Sequence, residues 1–173
     1  MMLPKPRNIN VDRYVGGLSK YKKIGNSIKL SANESALGPS PKAIKAFERD
    51  KNKILSYPES DSNSLRDAIA KKFNIKSNRI ICGAGSDQIF DLVCKSFLQK
   101  DDEVIVTEFG FIMHKIYASI HGAKILIAKE KQYKASITEI LKKVTYKTKI
   151  VFIANPNNPT GTYLSKNEML TLR

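Results

Sequence analysis

Two short stretches bring together groups able to meet a charged ligand. The first is Asn155-Pro-Asn-Asn-Pro-Thr-Gly161, which follows the apolar run Ile150-Val-Phe-Ile-Ala154. Such a β-branched and aromatic run suits a strand covered on both faces of a parallel sheet. Pro156 and Pro159 have no N–H to give to a ladder, so the strand stops and a stiff loop begins. In open α/β sheets ligands bind beyond the carboxyl ends of the strands, and Asn158 is the residue this loop would present there. The second stretch is Gly83-Ala-Gly-Ser-Asp-Gln88. At a helix N-terminus, the N–H groups of Ser86, Asp87 and Gln88 would attract a phosphate. The loop has the first two glycines of a dinucleotide fingerprint, but Gln88 stands where the third is needed for close helix packing. No Gly-Lys-Ser/Thr follows, so it is not a Walker loop. Taken alone, such a loop is more often a plain tight turn than a ligand site.

The elements that must position these loops can be read in order. Residues 1–30 hold Pro4, Pro6, Gly16, Gly17 and Gly25 with little apolar periodicity, as an extended arm would. Residues 28–32 fit a short strand. Ser40 as N-cap and Pro41 at the first helical position start a helix through Ala43, Ile44 and Phe47. Leu65, Ala68, Ile69 and Phe73 recur at helical spacing after Ser64, with Asp67 giving negative charge to the first turn. Arg79-Ile-Ile-Cys82 reads as a strand, and Ile89, Phe90, Leu92, Val93 and Phe97 mark the helix beyond the glycine loop. A strand at Val104 to Thr107 follows, then a helix opened by Phe109-Gly110 and stopped near His121 by Gly122. A strand at Ala123 to Ala128, a capping box from Ser136 and Glu139, and a strand at Lys149 to Ala154 complete the alternation. Strand and helix in turn imply a mostly parallel, helix-covered sheet. Ser165 and Glu168 form another capping box, and the sequence reaches Arg173 about two turns into the helix they start.

Composition narrows the function classes. The 173 residues suffice for a domain with a core, and 42% hydrophobic content is ordinary for a globular chain. No run approaches the ~18–20 apolar residues of a membrane span, and the first ten residues lack a secretory core, so a cytoplasmic protein without membrane partners is expected. Cys82 and Cys94 show no CxxC spacing and have no nearby histidine, which argues against a disulfide or a metal site and for buried apolar roles. A net charge of +14 raises nucleic-acid binding. The lysines are scattered in pairs and not gathered on a stripe with interleaved aromatics, so no nucleic-acid partner is expected.

Four stretches in one order then carry a resemblance: Leu30-Ser-Ala-Asn-Glu-Ser-Ala-Leu-Gly-Pro-Ser-Pro41, Tyr57-Pro-Glu59, Gly83 to Gln88, and Asn155 to Gly161. Together the chain resembles the N-terminal portion of the histidinol-phosphate aminotransferase family of fold-type I pyridoxal-phosphate enzymes. Arg13-Tyr14-Val15-Gly16-Gly17 is similar to that family's N-terminal segment. The resemblance implies an α/β fold, a partial pyridoxal-phosphate-dependent transferase fold with its sheet truncated after about four large-domain strands. Residues 1–30 would be the arm, 31–75 the first part of a small domain with linker helices, and 76–173 the incomplete large domain. The implied cofactor is pyridoxal 5′-phosphate. Ser86 and Asp87, with Gln88 adjacent, would bind its phosphate, and Phe109 would stack on its ring where the family commonly has tyrosine. Asn158 would bond its phenolic oxygen, and Tyr57 would reach the phosphate in the partner protomer of a homodimer. Tyr14 and Asn33 would lie near the substrates, a small-molecule amino donor and a 2-oxo acid. Plain packing is the alternative for the Tyr57 and Phe109 rings.

Departures from the family carry weight. Its Schiff-base lysine, the aspartate paired with the pyridinium nitrogen and the substrate arginines lie beyond Asn-Pro-Thr-Gly, so no catalytic residue is assigned in this chain. The 173 residues alone are expected to be inactive. Ser35-Ala36 stands where relatives often carry Asn-Pro, and Gln88 replaces a commonly acidic residue. Histidinol phosphate with 2-oxoglutarate is the implied substrate pair; a threonine-phosphate decarboxylase, an aromatic aminotransferase and a non-catalytic remnant are the alternatives. The strand at Arg79 to Cys82 would lack ladder partners and the last strand would expose an apolar edge, so the isolated chain is expected to be marginal or unfolded. A cooperative thermal transition would refute that.

Overall fold

The computed structural model describes residues 9–12, 14–16 and 30–172. They divide into two compact units: the residues up to Tyr14 together with those from Gly83 onward, and the residues between.

The larger unit is built on a parallel sheet. Its middle strand, β1 (Glu103–Thr107), is buried at every position and pairs with β2 (Lys124–Ala128) on one side and β5 (Thr148–Phe152) on the other. Both pairings are parallel, with Val104 opposite Ile125 and Ile150. Because side chains alternate along a strand, Ile105 enters one core with Ala128, Ile137, Ile140 and Leu164. Val104 and Val106 enter another with Cys94 and Ala118. Helices α3 (Gly85–Phe97) and α4 (Ile112–Ile120) supply the second core. On the first, α5 (Ile137–Leu141) carries Ile137 and Ile140, and α6 (Lys166–Leu172) packs Leu172. The expected helix-covered parallel sheet is therefore present.

Several local expectations hold in detail. Ser136 Oγ accepts the Glu139 N–H at 3.4 Å. Ser165 and Glu168 complete a reciprocal capping box, with Ser165 N–H donating to Glu168 Oε2 at 2.7 Å and Glu168 N–H to Ser165 Oγ at 3.3 Å. Gly122, at φ 80, follows the end of α4.

Others need correction. Ile150 to Ala154 reaches both cores, Ile150 and Phe152 packing on one and Val151 and Ile153 on the other, but it is only half-buried, because β5 lies at the edge of the three strands. β5 also stops at Phe152, before Ile153 and Ala154. Arg79 to Cys82 lacks ladder partners, as the resemblance implied, and so is no strand of the sheet: Ser77–Arg79 form a 3₁₀ turn, and Ile80 to Cys82 run on without pairing. Helix α4 begins at Ile112, since a turn from Gly110 N–H to the Thr107 carbonyl occupies the preceding residues. Cys94 is fully buried, Cys82 only partly. An antiparallel pair, β3 (Glu130–Lys131) and β4 (Lys134–Ala135), had no counterpart in the sequence reading.

The smaller unit contains α1 (Pro41–Asp50) and α2 (Asn63–Phe73). Ser40 caps α1 through the Lys42 N–H at 3.3 Å. The first turn of α2 is served by Glu59 in place of Asp67, its carboxylate accepting the Ser64 N–H at 2.8 Å. Neither helix buries a residue, and Phe47, Ile54, Leu55 and Tyr57 are exposed. Of the expected strand at 28–32, Ser31 and Ala32 lie in a bend and residues 28 and 29 fall outside the described residues. The same is true of most of the arm, Arg13 and Gly17 included; within the larger unit, Asp12 pairs with Lys115 on α4 at 2.5 Å. Among the described residues no helix is long and apolar enough to cross a membrane.

Candidate functional site

β1 and β5 run parallel, so the loops that leave their carboxyl ends emerge at one end of the sheet. One loop carries Phe109, the other Asn155 to Gly161. Asn155 closes the second loop on itself: its Nδ2 donates to the Leu164 carbonyl at 3.0 Å and its Oδ1 accepts the Leu164 N–H at 2.8 Å. Asn157 closes it again, its N–H donating to the Thr162 carbonyl at 2.8 Å while its own carbonyl accepts the Gly161 N–H at 2.9 Å. Gly161 takes φ 71, a conformation side chains disfavour. The peptide bonds before Pro156 and Pro159 are both cis.

The two asparagines inside this loop differ sharply. Asn157 is buried, and its Nδ2 donates to Thr160 Oγ1 at 2.9 Å and to the Phe109 carbonyl at 3.3 Å, tying the two loops together. Asn158 is half-exposed, and no hydrogen bond among the described residues engages its side-chain amide. Sequence reasoning singled out Asn158 and passed over Asn157. The doubled asparagine between two prolines was the available signal.

Helix α3 reaches the same end of the sheet. Phe90, in its second turn, meets Phe111 at 6.3 Å, His114 at 4.7 Å and Phe152 at 5.8 Å between ring centroids. His114 lies flat on Phe152 at 4.9 Å and 9°, and burial pushes its pKa below the ordinary imidazole value. This aromatic cluster fixes the first turns of α3 against the ends of β5 and α4. At the tip Gly85 takes φ 77, and a Cβ there would meet nothing within 4 Å, so the helix end faces open space. Gln88 turns back on its own loop, where its Oε1 accepts the Ala84 N–H at 2.5 Å. Ser86 is exposed and Asp87 half-buried, and the first four N–H groups of a helix have no partner within it. The Gly85 N–H is taken by the Gly83 carbonyl at 2.9 Å; the open space, the N–H groups that follow it and the positive end of a thirteen-residue helix suit a phosphate group.

Phe109 is 43% exposed and touches the Tyr133 ring at 5.3 Å. Tyr14, in the larger unit, is 54% exposed. Asn33 and Tyr57 belong to the smaller unit; both are exposed, Tyr57 completely. Within the larger unit a hydrogen bond ties Phe109 to the loop that carries Asn158, and Ser86, Asp87 and Gln88 open the helix whose Phe90 packs on Phe111 and Phe152. No cluster of histidine, cysteine and carboxylates able to hold a metal occurs among the described residues.

Residues 25–173 match the profile of aminotransferase class I and II, and the chain belongs to that family. Among individual proteins it is 53% identical over its full length to a histidinol-phosphate aminotransferase of Pelagibacter ubique, covering 48% of that protein. It is 44% identical over 99% of its length to a histidinol-phosphate aminotransferase of Rhodopseudomonas palustris, covering 47% of it. The chain thus spans about half the length of the curated relatives it matches. In fold it is similar to the histidinol-phosphate aminotransferase of Sinorhizobium meliloti crystallised in complex with pyridoxal-5′-phosphate. That likeness has a TM-score of 0.77 at 20% identity, over 82% of this chain and 39% of the other.

Proposed function

We propose that this chain forms the cofactor-holding part of a pyridoxal-phosphate-dependent aminotransferase that moves an amino group between a small-molecule amine and a 2-oxo acid, with histidinol phosphate and 2-oxoglutarate as the pair. The observation that carries the reading is the junction of the two strand-end loops through Asn157, which leaves the Phe109 ring and the Asn158 amide available to a ligand. The names of two similar curated relatives support the choice of substrate. Bound pyridoxal 5′-phosphate supplies an electron sink for the exchange of the amino group. The residues of this chain bind and orient it. The N–H groups of Ser86 and Asp87 hold the phosphate against the helix dipole, and Gln88 steadies their loop. Phe109 offers a ring face, and the Asn158 amide offers a hydrogen bond to the phenolic oxygen. Tyr57 serves the phosphate of a partner protomer in a homodimer, and Tyr14 and Asn33 serve the substrate. No lysine of this chain is assigned to the chemistry.

Pyridoxamine 5′-phosphate is fluorescent and needs no lysine to bind, so it tests the reading directly. The purified chain should bind it saturably, and Asn158→Ala should weaken binding about tenfold, the value of one well-made hydrogen bond. No saturable binding at millimolar concentration, or an unchanged affinity in Asn158→Ala, would overturn the proposal. The substrate is tested in a chimera that joins this chain to the unmatched length of the Pelagibacter ubique relative. Histidinol phosphate should be the better amino donor to 2-oxoglutarate; a preference for tyrosine would reject the pair.

A further inference from the structure

The β3–β4 hairpin has no place in the reading above, yet its side chains converge on Phe109. The Phe109 N–H donates to Glu130 Oε1 at 3.2 Å, and the Phe109 carbonyl accepts from Asn157 Nδ2 at 3.3 Å. Both polar groups of one peptide residue are therefore held by side chains, one from β3 and one from the loop after β5. The grip on the β3 side is reciprocal, since Glu108 Oε2 accepts the Glu130 N–H at 3.1 Å while Glu130 holds the next residue along. Tyr133, at the tip of the hairpin, adds a ring contact to Phe109, and its carbonyl accepts Thr162 Oγ1 at 2.7 Å. The hairpin so braces both loops of the candidate site. The arrangement is not one that stability alone favours. Glu130 Oε2 and Asn157 Oδ1 are buried without a hydrogen-bond partner among the described residues, and an unmet buried acceptor is costly. A leucine or methionine would fill such volume without that penalty.

Resting on the cofactor reading, we infer that Glu130 is a positioning residue: with Asn157 it fixes the Phe109 backbone so that the ring is preset to stack on the cofactor. It touches neither cofactor nor substrate. Its carboxylate acts through the Phe109 N–H, and a ring held in place before binding loses less freedom when the ligand arrives.

Two substitutions separate this role from a structural one. Glu130→Gln keeps an oxygen for the Phe109 N–H, whereas Glu130→Ala removes it. In the ligand-free chain, hydrogen exchange of the Phe109 amide should accelerate about tenfold or more in Glu130→Ala and stay within about twofold of the parent in Glu130→Gln. Affinity for pyridoxamine 5′-phosphate should fall about tenfold in Glu130→Ala and be kept in Glu130→Gln. Phe109→Ala should lose affinity as well, and adding Glu130→Ala to it should cost little more, because the brace would have no ring left to place. An unchanged Phe109 amide in Glu130→Ala, a glutamine variant as impaired as the alanine one, or additive losses in the double variant would each overturn the inference. If the parent chain failed to bind pyridoxamine 5′-phosphate, the cofactor reading would fall, while the amide exchange would still decide whether Glu130 holds Phe109.

Discussion

Gly110 follows the candidate stacking residue directly, and replacing it tests how tightly the end of β1 is built. A Cβ added at Gly110 would lie 2.5 Å from Thr107 Oγ1 and 3.3 Å from the Thr107 carbonyl oxygen. Ordinary contact needs about 3.5–4.0 Å. Thr107 cannot readily yield: it is 7% exposed, and a β-branched side chain has few rotamers open to it. Overpacking of this kind costs ~1–3 kcal/mol, so about 2 kcal/mol is expected for Gly110→Ala. With a urea m-value of ~1–3 kcal/mol/M, the midpoint followed by far-ultraviolet circular dichroism should fall by about 1 M. The cause is specific. Thr107→Ala removes the clashing oxygen, so the double variant should recover much of the loss beyond the sum of the single effects. Gly85→Ala is the contrast, because its Cβ meets nothing and its cost, ~1–2 kcal/mol, comes from the left-handed backbone at φ 77. Thr107→Ala should not relieve it. A neutral Gly110→Ala, or one that Thr107→Ala leaves uncorrected, would refute the account of this turn.

Two further outcomes follow from burial. Unfolded histidine takes up its proton near the ordinary value of 6.5, whereas burial makes folded His114 resist it, so this contribution to stability is complete above that pH and is lost as pH falls through it toward the lower folded pKa. His114→Phe should therefore flatten the decline of the urea midpoint between pH 7.5 and 5, and identical slopes for parent and variant would contradict the argument. Hydrogen exchange should divide the chain by unit: β1, buried at every position, should exchange at least about a hundredfold more slowly than α1 and α2, which bury no residue. Equal protection in the two units would mean that apolar surface such as Phe47 and Leu55 is covered in solution.

The parts of the fold legible in the sequence are those set by neighbours along the chain. Ser40 before Pro41, Ser136 with Glu139 and Ser165 with Glu168 act within one helical turn, and each makes the bond its spacing predicts. Strand pairing is different, because a ladder is a relation between distant segments. Arg79 to Cys82 has the apolar character of a strand, and the resemblance, not those residues, implied that it would lack a partner; Ile80 to Cys82 have none. Ile150 to Ala154 has the apolar character of a strand covered on both faces yet is only half-buried, and β5 lies at the edge of the three strands, as the resemblance implied. The β3–β4 hairpin escaped notice because its turn uses Gln132 and Tyr133 at φ 51 and 60, in place of the Asn-Gly or Gly-rich pairs that usually mark such turns.

The candidate site was half legible, and the division falls between two identical side chains. Asn157 and Asn158 share composition, loop and proline neighbours, so sequence alone could assign a ligand to one without giving a task to the other. The structure separates them by what surrounds each. Asn157 turns inward, where Thr160 and the Phe109 carbonyl take its amide and burial makes those bonds matter. That engagement fixes the loop and so leaves Asn158 at the surface with its amide unspent. A residue free to bind and a residue that holds it there are complementary needs of any preset site, since a loop without the second would lose freedom on meeting its ligand. Glu130 and Phe109 repeat the pattern one strand away, an inward carboxylate holding an outward ring. In both pairs the outward member carries the motif that a sequence reader recognises, while the inward member is found only by following its hydrogen bonds.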